Sequence, residues 1–204
     1  MTKLLIFDFD GVIVDSLAFY FEAWSRAMKA FGREDLAERE AFLSLLDGNL
    51  YESMSRQGIP FRAFPELSNR IQSALRINRI VPFPGIPEAI QSLSRNKSLA
   101  LVSSNNSSMI KSLLERHGMS DIFDPILGAD TERLKGHKID LALEAHNVPA
   151  VDSFYICDTV GDIREARSVD ICVAAVTWGW HNAERLARAK PDRILHCPQE
   201  LMEL

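Results

Sequence analysis

Short apolar runs recur along the chain at Leu4–Phe9, Leu99–Val102, Pro125–Leu127, Phe154–Cys157, Cys172–Val176 and Arg193–Leu195. Several lack any polar alternation, as expected of strands buried on both faces of a parallel sheet. Between the later runs, apolar positions return at three- and four-residue spacing. This predicts helices over Ile86–Ser94, Ser107–His117, Lys138–His146, Ile163–Val169 and Asn182–Ala189. Strands alternating with helices imply βαβ units, and so an α/β protein with a Rossmann-like parallel sheet covered on both faces.

The rhythm breaks between the first run and the second. From Ser16 to Arg79 no strand-like run occurs, and Leu17, Phe21, Trp24, Met28 and Phe31 mark one face of a helix that Gly32 ends. Further helices are predicted over Glu38–Leu46, Leu50–Gln57 and Phe64–Ile77, broken at Asp47-Gly48 and at Gly58-Ile59-Pro60. The prolines of Val81-Pro82-Phe83-Pro84-Gly85 stiffen the backbone into a hinge that no helix can cross. Residues 16–79 therefore read as an inserted α-helical cap on a core made of residues 1–15 and 80–204.

Composition narrows the partners. In 204 residues the formal net charge is −5, which offers no broad basic footprint for nucleic acid or an anionic membrane surface. The opening apolar run is interrupted by Asp8 and Asp10 before reaching the length of a signal or membrane segment. Three widely spaced cysteines, with no C-x-x-C pair, fit reduced thiols and a cytoplasmic setting. The five histidines show no metal-ligand spacing, which disfavours zinc. The assembly expected is a monomer or a dimer.

Ligands of open α/β sheets bind beyond the carboxyl ends of the strands. Four such ends carry polar residues here: Asp8 and Asp10, then Ser103, Ser104 and Asn105, then Lys135, then Asp158 and Asp162. Two carboxylates flanking Phe9 at a strand end are costly unless a cation or reacting group compensates them. Gly11 permits a tight turn that could bring backbone N–H groups toward an anion. Carboxylates converging from Asp8, Asp10, Asp158 and Asp162 call for a hard, oxygen-preferring cation, for which Mg²⁺ is the expectation. Ser103 and Asn105 offer donors to a phosphoryl oxygen, although a polar loop with a capping serine explains Ser-Ser-Asn-Asn-Ser-Ser equally well taken alone. Lys135 would offset phosphate charge, and Lys138 competes with it for that role. In the predicted cap, the Asp47-Gly48-Asn49 turn is a candidate substrate-facing loop, with helix capping by Asn49 as the alternative.

The motif F-D-F-D-G-V-I-V-D-S and the order Asp-x-Asp, Ser, Lys, Asp-x-x-x-Asp resemble the haloacid dehalogenase-like (HAD) hydrolase superfamily, specifically its phosphoglycolate phosphatase-like branch with a helical cap. The resemblance spans nearly the whole chain. It implies a Mg²⁺-dependent phosphatase acting on a small phosphate monoester, phosphoglycolate-like or a sugar phosphate, through an aspartyl-phosphate. By resemblance Asp8 is the nucleophile, Asp10 the general acid/base, Ser103 and Lys135 the phosphoryl clamp, and Asp158 and Asp162 the acidic metal loop. The metal would be held by the Asp8 carboxylate, the Asp10 main-chain carbonyl and Asp158, with Asp162 acting through water or behind these ligands. Many relatives carry K-P-x-P-D where this chain has L-K-G-H-K-I-D, and Cys157 stands where a glycine is common. A phosphosugar mutase and a haloacid dehalogenase share the fold, but Asp10 argues against the dehalogenase. A response-regulator receiver lacks the large insertion, a dinucleotide-binding domain would need the absent G-x-G-x-x-G, and a silent binding module would not need the complete set of charged residues.

Overall fold

The computed structural model describes residues 2–74 and 77–204. Eight strands and nine α-helices are described: β1 (Leu4–Phe7), β2 (Val14–Asp15), α1 (Leu17–Ala30), α2 (Arg39–Leu45), α3 (Leu50–Arg56), α4 (Phe64–Ala74), β3 (Val81–Pro82), α5 (Ile86–Leu93), β4 (Ser98–Val102), α6 (Ser107–Arg116), β5 (Ile126–Leu127), α7 (Lys135–His146), β6 (Ser153–Cys157), α8 (Val160–Arg167), β7 (Cys172–Val176), α9 (Ala183–Arg188) and β8 (Arg193–Leu195). Six form one sheet in the order β5-β4-β1-β6-β7-β8, with every neighbouring pair parallel. The chain leaves β1 in one direction to build β4 and β5, then returns to build β6 on its other side. The carboxyl end of β1 thus sits at the topological switch point, where open α/β sheets bind ligands.

Strand alternation divides the core into two layers. Leu5 and Phe7 of β1, with Leu99 and Leu101 of β4, face one side and pack against Ile86 and Ile90 of α5 and Ile110 and Leu113 of α6. Leu4 and Ile6, with Ala100 and Val102, face the other and pack against Ile139 of α7, Ile163 of α8 and Leu186 of α9. Burial on both faces is why these strands are continuous apolar runs. A third cluster, including Trp24, Met28, Phe42, Met54 and Leu67, is built mainly by α1 to α4, with Trp180 packed against it from the chain beyond β7. Trp24 Nε1 donates to Leu36 O at 2.7 Å within it, which satisfies the one polar atom of that ring.

The predicted elements are present, with informative shifts. Strand β1 stops at Phe7 rather than Phe9, because the chain turns at Asp8. The helix expected from Lys138 begins at Lys135, and the one expected from Ile163 begins at Val160. Helix α4 ends at Ala74, followed by a 3-10 turn over Ile77–Arg79; the part of the predicted Phe64–Ile77 helix at Leu75 and Arg76 lies outside the described residues. The proline-rich hinge contains β3, which pairs antiparallel with β2, so the two chain crossings between the sheet and the helical segment form one small ribbon. Among the described residues no helix is long and apolar enough to cross a membrane.

Leu101 is fully buried on β4, level with Phe7 of β1 on one side and Ile126 of β5 on the other. Leu101→Ala should destabilise the protein by about 2–5 kcal/mol, the range for a deleted core leucine, read as a lowered midpoint in urea unfolding followed by far-UV circular dichroism.

Candidate active site

Asp8 is the first residue past β1 and is 4% exposed. Its amide still belongs to the sheet, donating to Ile156 O at 2.9 Å, so its carboxylate is fixed by the strand beneath it. One oxygen accepts from Phe9 N at 2.7 Å, and the other receives Lys135 Nζ at 2.6 Å. The same ammonium reaches Asp162 Oδ1 at 2.7 Å. Lys135 is the first residue of α7, and its backbone N–H donates to Glu165 Oε2 at 2.7 Å, so a carboxylate of α8 anchors the helix start that aims the lysine.

The acidic loop comes from the end of β6. Asp158 directly follows that strand, and Asp162 lies in the first turn of α8, where the side chain of Thr159 caps the helix and donates to Asp162 Oδ2 at 2.8 Å. Asp8, Asp158 and Asp162 each present an oxygen within 4.8 Å of the others. Asp158 Oδ2 accepts from Trp180 N at 2.7 Å, whereas its Oδ1 is buried with no hydrogen-bond partner among the described residues. An orphaned carboxylate oxygen within an all-oxygen cluster fits a hard divalent cation.

The charges on this cluster are unevenly held. Burial pushes Asp8 up to about 8, opposed by the charge of Lys135 and reinforced by Asp162 and Asp10. Burial, then the charges of Asp8 and Asp162, hold Asp158 well above the ordinary carboxylate value. Burial opposes ionisation of Asp162 too, but the charge and hydrogen bond of Lys135 and the Thr159 hydroxyl outweigh it and leave Asp162 below its ordinary value. Lys135 stays firmly an ammonium, since Asp162 and Asp8 overcome its own desolvation.

Asp10 faces the same cavity with a different partner. Its Oδ2 accepts from Asn105 Nδ2 at 2.6 Å, and Asn105 Oδ1 accepts from the Tyr20 hydroxyl at 2.7 Å, so helix α1 orients the amide that touches Asp10. Burial raises Asp10 to about 6 against the opposing effects of the Ser16 hydroxyl, Lys135 and Asn105. Ser103 is buried at the end of β4 and lines the cavity, its hydroxyl accepting from Asn105 N at 3.0 Å. Ser104, also in the lining, is exposed.

Two expectations take a different form in the structure. The Gly11 amide donates to Val14 O at 3.0 Å and so closes the turn instead of facing an anion. Gly11 is required for space: its φ is +78°, and an added Cβ would stand 1.9 Å from Asp158 Oδ2. At the start of α6, the amides of Ser107 and Ser108 are taken by Asp130 and Asn106. The choice between the lysines is plain in space. Lys138 is fully buried and donates to the carbonyls of Ser103 and Gly128, away from the carboxylates.

The Asp47-Gly48-Asn49 turn does two jobs. Gly48 and Asn49 line the cavity, while Asp47 receives Arg185 Nε and Nη2, each at 2.7 Å. Asn49 caps α3 and donates to Glu165 Oε1 at 2.9 Å. Gly161 N donates to Leu46 O at 2.8 Å, an approach that a Cβ at Gly161 would block by standing 2.5 Å from Gly48 O. His181 sits between the layers: Nδ1 accepts from Val160 N at 3.1 Å, so Nε2 carries the proton given to Leu43 O at 3.0 Å. Sequence reasoning missed Tyr20, Glu165, Trp180, His181 and Arg185. The available signal was weak: the W-G-W-H stretch follows an apolar run, at a strand end of the kind that carries ligands.

Comparison with known proteins agrees with this geometry. Residues 5–176 match the family model described as haloacid dehalogenase-like hydrolase. A phosphoglycolate phosphatase of Synechococcus elongatus is 27% identical over 204 residues, covering 98% of this chain and 96% of its own. One from Photobacterium profundum is 24% identical over 217 residues, covering 99% and 95%. A haloacid dehalogenase-like hydrolase family protein from Streptococcus pneumoniae shares the fold with a TM-score of 0.83 at 24% identity, covering 99% of this chain and 97% of its own. With its parallel sheet, its Asp-x-Asp at the switch point and the family model matching most of its length, the chain belongs to the haloacid dehalogenase-like hydrolase family.

Proposed function

We propose that this chain is a phosphatase that hydrolyses a small phosphate monoester through a covalent intermediate on Asp8, with residues 16–79 serving as a cap over the core of residues 1–15 and 80–204. The observation that carries this reading is the division of labour between two nearby aspartates. Asp8 is held by an ammonium and a backbone N–H, whereas Asp10 is held by a neutral amide and ionises near neutral pH.

In the first half-reaction a carboxylate oxygen of Asp8 attacks phosphorus in line, and the bond from phosphorus to the ester oxygen breaks. The leaving alkoxide takes the proton of Asp10. In the second half, Asp10 removes a proton from water, the new hydroxide oxygen bonds to phosphorus, and the Asp8 oxygen departs, giving inorganic phosphate. A general acid/base with its midpoint near the working pH serves both directions of transfer. Lys135, at the base of the cavity, keeps positive charge beside the nucleophile and the incoming phosphoryl oxygens, and the Ser103 hydroxyl offers a donor on the opposite strand end.

The carboxylates of Asp8 and Asp158 and the main-chain carbonyl of Asp10 would hold Mg²⁺, with Asp162 supporting it through water or from behind. The ion supplies charge neutralisation between an anionic nucleophile and an anionic phosphoryl group.

With Mg²⁺ present, p-nitrophenyl phosphate should be turned over. Asp8→Asn should abolish this turnover, and Asp10→Asn should lower kcat by about 10²–10⁴, the range for a general acid/base; phosphate release assays read both. Chelation by EDTA should remove activity, and Mg²⁺ should restore it. Unchanged activity in Asp8→Asn would end the covalent reading.

The metal-free protein should also show an unusual stability profile. Asp8, Asp10 and Asp158 bind protons more tightly folded than unfolded, so the native state carries extra protons from the ordinary carboxylate value up to about 8 for Asp8 and about 6 for Asp10, with Asp158 held well above that ordinary value as well. Stability therefore falls as pH rises through that window. His181, whose value burial lowers, acts in the opposite sense only below its ordinary 6.5. From pH 6.5 to 8, EDTA-treated protein should lose roughly 1.4 kcal/mol per pH unit for each retained proton, measured by urea unfolding. Saturating Mg²⁺ should flatten the slope, because a bound cation replaces those protons.

A further inference from the structure

Beyond the carboxylates the cavity changes character. It encloses about 200 Å³, and its aspartates and Lys135 gather at the strand ends. The wall contributed by the cap is largely apolar, formed by residues such as Trp24, Phe42, Met54, Phe64, Leu67 and Ile71, with neutral polar groups of Asn49, Tyr51 and Ser68 among them. Rings pack into this wall in two groups. Trp180 lies 5.6 Å from Tyr20 and 5.8 Å from Phe42 between ring centroids, and Tyr51 lies 5.6 Å from Phe64.

Among the described residues, cationic groups along the lining are limited to Arg133 and Lys135. Lys135 is occupied by Asp8 and Asp162. Arg133 is exposed, and its guanidinium lies over the rings of Phe61 and Tyr51, 5.1 and 6.0 Å from their centroids. A carboxylate on the leaving group, lodged against the cap wall, would lose hydration with no opposite charge to replace it. A ring or branched hydrocarbon there would instead gain from burial and from stacking. An apolar cavity of about 150 Å³ admits benzene, so the volume is suited to a ring beyond the phosphoryl group. Trp180 Nε1, buried without an acceptor among the described residues, adds a neutral donor that can orient an oxygen but cannot neutralise an anion.

We infer that the leaving group taken by this site is an uncharged alcohol bearing an aromatic or similarly sized apolar group, selected by the cap wall, and not a short carboxylate-bearing alcohol such as glycolate. The inference rests on the phosphatase reading and concerns the far end of the same cavity. It separates this chain from its relatives by the leaving group, with the phosphoryl chemistry unchanged.

The test compares kcat/KM of the full-length, Mg²⁺-loaded enzyme on 2-phenylethyl phosphate, ethyl phosphate and phosphoglycolate. All three are esters of aliphatic alcohols, so the comparison reads recognition more than leaving-group reactivity. The phenyl ester should exceed phosphoglycolate by about tenfold or more, the scale on which an apolar pocket discriminates, chiefly through a lower KM. Ile71→Lys, at a half-buried wall position, should shrink or reverse that ratio, with circular dichroism and residual ethyl phosphate turnover showing that the fold persists. If that variant does not fold, Leu50→Lys on the same wall serves instead.

Phosphoglycolate turned over as well as or better than the phenyl ester overturns the leaving-group inference and leaves the phosphatase reading standing. Loss of such a phosphoglycolate preference in Arg133→Gln would place an anion site at the mouth, again against the inference. A phenyl-ester preference that neither wall variant moves overturns it as well. No Asp8-dependent hydrolysis of any of the three esters, in folded Mg²⁺-loaded protein, overturns the phosphatase reading and the inference with it.

Discussion

The ammonium of Lys135 between Asp8 and Asp162 is the contact on which the site depends. Asp8, Asp158 and Asp162 are crowded at one edge of a parallel sheet, each nearly excluded from solvent. Several carboxylates desolvated together cannot all ionise without a compensating charge. One lysine pairs with two of them and holds Asp162 ionised, while Asp8 and Asp158 stay above the ordinary carboxylate value as the protonated or cation-seeking members. Removing one partner of such a buried pair costs far more than the pair contributes. The fold therefore has to deliver the lysine accurately, and it does so by starting α7 at Lys135 and fixing that start with Glu165.

Glu165 also ties the site to the helical segment above it. One of its oxygens holds the Lys135 amide and the other accepts from Asn49. Helix α8 thus carries Asp162 to Lys135 at its first turn, donates from Gly161 N to the loop before α3, and reaches Asn49 from Glu165. Arg185 on Asp47 and His181 on Leu43 add contacts from the chain beyond β7. A displacement of the Asp47–Asn49 turn would be felt at the helix that bears Asp162 and Glu165. The exposed part of this seam contributes modestly to stability, since Asp47 and Glu40 remain in contact with water. Its effect is on position.

Much of this was legible in the sequence wherever the cause was local. Buried parallel strands must be apolar throughout, so Leu99–Val102 and Cys172–Val176 showed their strands with little error, and the polar residues that end such runs marked Asp8, Ser103 and Asp158. Helix starts were less visible. The first turn of α7, Lys135-Gly136-His137, has no apolar face to display, and its anchoring carboxylate comes from thirty residues later in the chain. The ribbon of β2 and β3 was hidden for a related reason, since each strand has only two residues and pairs across the whole insertion. Tyr20, Trp180 and Arg185 matter through partners far away in sequence, and no spacing rule connects them.

The two lysines show how a tie in sequence is resolved by geometry. Three residues along a helix amount to an axial step of about 4.5 Å, so Lys135 and Lys138 leave α7 on neighbouring lines at different depths. The upper one meets the carboxylates. The lower one is fully buried and bonds the carbonyls of Ser103 and Gly128, the residues that follow β4 and β5. Burial, together with the like charge of Lys135, brings Lys138 down to about 8, and its amine is directed at backbone carbonyls instead of carboxylates. It donates to the carbonyls of two residues that follow neighbouring strands, and in doing so it fixes the loop that carries the Ser103 hydroxyl. One lysine therefore compensates charge and the other holds backbone, which is why a chain with both within one helical turn can use a single helix start to assemble two strand ends of the site.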